Sequence, residues 1–172
     1  MEHQDYLLTF AEVAAAFAGF SAIVTSFVQS RGSTVLRINH YRTRVMIEYS
    51  LCVVVFAFVP YLIFVVTESE DASWRVASGL LALVWTLIAV SSGRRARVVL
   101  GDSGFSVAPG FSYTMAGLTI VGTLILWANV IGFRVGTAGG FFLLGISFPL
   151  LQSALYFLHI VTHSAPDETE PG

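Results

Sequence analysis

Five long stretches of this chain carry no charge. No aspartate, glutamate, lysine or arginine falls within residues 13–30, 49–67, 76–93, 103–133 or 135–158, which are runs of 18, 19, 18, 31 and 24 residues. A helix rises about 1.5 Å per residue, so about 20 apolar residues cross the roughly 30 Å hydrocarbon core of a bilayer. The runs predict transmembrane helices over about 6–28, 46–67, 75–93, 113–133 and 139–162. A membrane β-barrel would instead show apolar–polar alternation in strands of about 10 residues. Stretches such as Gly79–Val90 show none. The expected fold class is all-α: an integral membrane helical bundle with five transmembrane helices.

Composition closes the other routes. Of the 172 residues, 55% are hydrophobic and 12% are charged, whereas a soluble domain averages about 45–50% apolar and about 25% charged. A soluble domain of this length has too little interior to hide so much apolar surface. Disorder requires the opposite balance. The formal net charge of −2 gives no footprint for nucleic acid.

The nine basic residues, all arginine, set the orientation. Arg31, Arg37, Arg42 and Arg44 lie between the first and second spans, and Arg94, Arg95 and Arg97 between the third and fourth. Only Arg75 and Arg134 fall on the opposite side. The positive-inside rule then places the amino terminus outside and the carboxyl terminus inside. Arg37, Arg42, Arg44, Arg94, Arg95 and Arg97 are read as a cytoplasmic, lipid-facing basic set: an orientation signal with snorkelling side chains, or alternatively a surface that binds anionic lipid or a partner.

Residues 1–163 are expected to form a single transmembrane domain, and the acidic, Pro-containing tail 164–172 to be disordered. The acidic start Met1-Glu2-His3-Gln4-Asp5 argues for a retained first helix and against a signal peptide. Ser33-Thr34 can cap the second helix, which would then run over 34–67 for about 50 Å. Pro60 and Pro149 are expected to kink their helices.

Few polar residues lie within the spans. Glu12 stands about 9 Å inside the outer end of the first, where a carboxyl group is costly unless paired, hydrated or protonated. It shares a helical face with Ala15, Ala16, Gly19 and Ser26 that should look into the bundle or a subunit interface. Asn129 lies at similar depth on the fourth span and is expected to join Glu12 in an outer polar layer. Glu48, with Arg44 one turn away, and His159 are expected to form an inner layer. Thr86, Thr119, Thr123 and Gln152 lie between the layers. Small residues at Ala11, Ala15, Gly19 and Ala22 let helices approach closely in lipid, within the chain or between copies.

Catalytic signatures are missing. The sequence holds no His-Glu-x-x-His, no Gly-x-Ser-x-Gly and no phosphate loop. Gly101-Asp102-Ser103-Gly104 reads as a turn. His159 and His163 share a helix face, but nothing in the sequence completes a metal set. Cys52 is the single cysteine and reads as a small core residue. Trp85, Trp127, Tyr49, Tyr61, Tyr113 and Tyr156 include expected interface anchors. No catalytic residue, metal or cofactor is expected.

Two segments carry a resemblance. Ala11-Glu12 followed by Phe17-Ala18-Gly19-Phe20-Ser21-Ala22-Ile23-Val24 is the first. Arg42-Thr43-Arg44, Glu48-Tyr49-Ser50-Leu51 and Phe58-Val59-Pro60 form the second. Over about residues 11–65 the chain resembles an uncharacterised family of small bacterial multi-pass membrane proteins. The resemblance implies a bacterial inner-membrane location and transfers no catalytic residue. The expected function is non-enzymatic, through self-association or partner binding. The alternative is a proton or ion channel, or a small-solute transporter, using Glu12 and Glu48.

Overall fold

A computed structural model describes residues 4–28, 33–101, 109–133 and 137–163. The expected tail 164–172 lies outside them. The described residues form five helices: α1 (Gln4–Val28), α2 (Ser33–Thr67), α3 (Glu70–Gly101), α4 (Pro109–Val130) and α5 (Ala138–His163). Four of them contain segments long and apolar enough to cross a membrane, His40–Thr67, Glu70–Ala96, Gly110–Val130 and Ala138–Thr162.

Helices α1 to α4 pack in chain order, each on the next, and α1 meets neither α3 nor α4. Helix α5 touches all four others and forms the centre of the bundle. Leu81, Trp85, Leu126, Phe142 and Ile146 are fully buried where α3, α4 and α5 meet. Two glycines permit that packing. A Cβ at Gly145 would run into the Leu126 side chain, and one at Gly122 would strike Trp85 and the Phe148 Cβ. The outer surface is apolar: Leu51, Val55, Phe58, Leu62 and Val66 stand exposed along α2, and Leu80, Leu83 and Leu87 along α3.

The turns follow local chemistry. Helix α2 ends at Glu68, held at φ 54° with its N–H on Phe64 O at 2.8 Å. Helix α3 starts at once, with Glu70 and Asp71 in a first turn that favours acids. The N–H of Phe133 donates to Ala128 O and that of Gly132 to Asn129 O, both at 3.1 Å, with Gly132 at φ 74°. This is the Schellman closure of α4. A Cβ at Gly132 would lie 2.8 Å from an Arg75 guanidinium nitrogen, so glycine also fits the space.

One span differs in extent from the reading of the sequence. Helix α3 runs from Glu70 to Gly101 instead of 75–93. Ser91-Ser92-Gly93 reads as a terminator, but one helical glycine costs only about 1 kcal/mol and arginine favours helix. Pro60 and Pro149 both lie inside continuous helices.

Candidate functional site

At the arginine-rich end of the bundle, α2 and α3 are joined by ionic contacts. The Arg95 guanidinium donates to Glu48 Oε1 at 2.8 Å and Oε2 at 2.7 Å, a forked pair. Arg44, one turn before Glu48, donates to Oε1 at 3.0 Å, and Ser92 to Oε2 at 3.4 Å. Two cations therefore hold one carboxylate. The neighbouring Tyr41 hydroxyl donates to Ser92 O at 3.0 Å, fastening the same two helices.

The expected pairing of Glu48 with His159 is replaced by this cluster. His159 instead lies flat on Phe111, with centroids 4.5 Å apart and planes at 16°. Phe111 also meets Tyr156 edge-on at 5.3 Å. In the sequence Arg95 reads as one of the lipid-facing arginines that set the orientation. An arginine side chain leans toward its helix N-terminus, which brings Arg95 back to the depth of Glu48.

The outer layer is also different. Asn129 is buried and donates to Ser78 Oγ at 2.7 Å and to Ala138 O at 2.9 Å, joining α3, α4 and the start of α5. Glu12 is not its partner, because α1 and α4 do not touch. Glu12 lies on the exposed face of α1 with Ala15, Ala16 and Gly19, while Leu7, Ala11, Ala14 and Ser21 face the bundle. Of the four small residues singled out, Ala11 thus packs inward and Ala15 and Gly19 look outward. The side chain of Ala22 lies outside the described residues.

Between these layers, Gln152 is the polar centre. It accepts from Trp85 Nε1 at 3.1 Å and donates to Met115 O at 2.8 Å and Thr119 Oγ1 at 2.9 Å. Trp85 is therefore a buried core residue and no interface anchor, and Tyr49 is buried as well. Tyr61, Tyr113 and Trp127 are exposed. Ser50 and Ser153 share a hydrogen bond of 2.7 Å between α2 and α5. Among the described residues no three His, Cys, Asp or Glu side chains come together as a metal set.

The basic set divides. Arg44 and Arg94 are exposed, whereas the side chains of Arg37 and Arg97 lie outside the described residues. Arg42 departs from the lipid-facing reading: it is only 8% exposed. Its side chain lines a cavity of about 440 Å³ walled by residues of α2, α3, α4 and α5. The helical wheel explains the difference. Arg42 shares a face with the buried Val45, Met46, Tyr49 and Val53, so α2 carries it inward with its core stripe.

No family model, no curated protein and no solved structure matches the chain.

Proposed function

We propose that this chain is a non-enzymatic, five-span protein of the bacterial inner membrane that works by self-association through the exposed face of α1. In this reading the amino terminus is outside and the carboxyl terminus inside. The four long apolar segments and the apolar exterior support a membrane setting. The arginine asymmetry supports the orientation, and the resemblance over residues 11–65 supports the bacterial location.

One observation carries the reading: Glu12, on a helix with an apolar core face, points away from the bundle. A carboxyl group facing hydrocarbon is costly. The same face offers Ala15, Ala16 and Gly19, small enough for close helix approach in lipid. Packing α1 against α1 of a second copy removes Glu12 from lipid.

Conduction through Glu12 and Glu48 is the weaker reading. Glu48 is held by Arg44, Arg95 and Ser92 and turned toward α3, which α1 does not touch. Gln152, one of the polar residues between the layers, is occupied by Trp85, Met115 and Thr119.

The test uses Gly19, where an added Cβ meets nothing within 4 Å in the protomer. Gly19→Leu should leave the protomer folded and turn a multimer into a single chain by light scattering in detergent. A single chain before substitution, or an unchanged multimer after it, would remove the proposal.

A further inference from the structure

We propose that the cavity between α2, α3, α4 and α5 is a binding site for an anionic phospholipid, with Arg42 receiving the phosphate and the slot between α3 and α4 receiving an acyl chain. This site lies apart from the outer face of α1 and stands on different observations.

Arg42 is more than nine-tenths buried, lines the cavity, and has no hydrogen bond or ion pair with any other described residue. The carboxylate nearest in sequence, Glu48, is taken by Arg44 and Arg95. A guanidinium that faces an apolar-walled cavity, with no counter-charge among the described residues, favours an anion there. Arginine suits phosphate because its planar fork donates two parallel hydrogen bonds. The Tyr41 and Tyr156 side chains also line the cavity, with the Tyr41 hydroxyl already donated to Ser92 O.

The rest of the cavity is mostly apolar, with Thr86, Ser112 and Thr119 among the polar exceptions. Its wall on α4 runs from Phe111 to Ile120, about 14 Å along the helix axis. Val90, Ala116 and Ile120 line it and are exposed, so the slot opens sideways between α3 and α4, on a face that meets lipid in the proposed setting. One buried cation beside a lateral apolar opening matches an amphiphile with a charged head. The cavity of about 440 Å³ is in the range of small-molecule sites. It holds a headgroup and the first part of a chain, while the remainder extends through the opening into the bilayer.

The test is native mass spectrometry of the purified full-length chain incubated with phosphatidylglycerol or with phosphatidylcholine of equal chain length. The wild type should retain phosphatidylglycerol in preference. Arg42→Gln should lower that retention about tenfold, and Arg94→Gln, at an exposed arginine, should leave it unchanged. Ala116→Trp, an exposed position at the opening, should also lower it and serves in place of Arg42→Gln if that variant does not fold. Inorganic phosphate should not displace the lipid, because it lacks the chain that fills the slot. Equal retention of both lipids by the wild type would overturn the proposal. So would undiminished retention in Arg42→Gln, or displacement by inorganic phosphate.

Discussion

Glu48 on α2 accepts both outer nitrogens of Arg95 on α3, at 2.8 and 2.7 Å, across 47 positions of sequence. The pair closes the arginine-rich end of the α2–α3 hairpin, opposite the tight turn at Glu68 and Ser69. Their side chains are 24% and 31% exposed, so solvent screens the attraction only in part. Glu48→Gln should lower stability by about 1–2 kcal/mol in denaturant titration in mixed micelles. A double-mutant cycle with Arg95→Gln should return a coupling of about 1 kcal/mol. Additive effects of the two substitutions would show that the fork contributes nothing.

Close backbone packing around α5 gives a second expectation. Gly145→Ala and Gly122→Ala each force a methyl group into Leu126 or into Trp85 and Phe148. Each should cost about 1–3 kcal/mol by the same titration. Gly140→Ala is the control, since its added carbon meets nothing within 4 Å. Equal tolerance at Gly140 and Gly145 would contradict this packing of Leu126 on α5.

Gln152→Leu removes three hydrogen bonds and strands the Trp85 indole N–H, while Met115 O keeps its bond from Thr119 Oγ1. The expected loss is about 1–3 kcal/mol. Ser147→Ala, at an exposed hydroxyl bonded to Leu144 O on its own helix, should change stability little.

Proteoliposomes should show no proton or ion flux above empty vesicles under an imposed gradient. Glu48 is neutralised by two arginines and Gln152 is saturated by its neighbours. A flux that Glu48→Gln abolishes in a folded protein would favour the conduction reading instead.

The sequence made some of this legible and not the rest, for reasons that are physical. Helices α2 and α5 were readable because 49–67 and 135–158 lack charge, and each run is long enough to leave one outcome. The early start of α2 followed from the absence of Gly and Pro over 34–59. The far end of α3 was not readable, because Ser91-Ser92-Gly93 before three arginines resembles a terminator while the helix tolerates it. The polar pairings failed most. Depth can be counted along a chain, but the rotation of each helix and its choice of neighbours cannot. Glu12 and Asn129 have similar depth and sit on helices that never meet. Arg42 carries the signature of an orientation signal, and only its register with Val45, Tyr49 and Val53 turns it inward.

The most direct measurement of self-association is oxidative cross-linking in native membranes, with Cys52→Ser removing the single native thiol. Ala16 lies on the exposed Glu12 face of α1 and Ala14 is fully buried against the bundle. Ala16→Cys should form a disulfide-linked dimer and Ala14→Cys should not. A protein that stays monomeric with Ala16→Cys, or that cross-links equally at both positions, would contradict a subunit contact through this face.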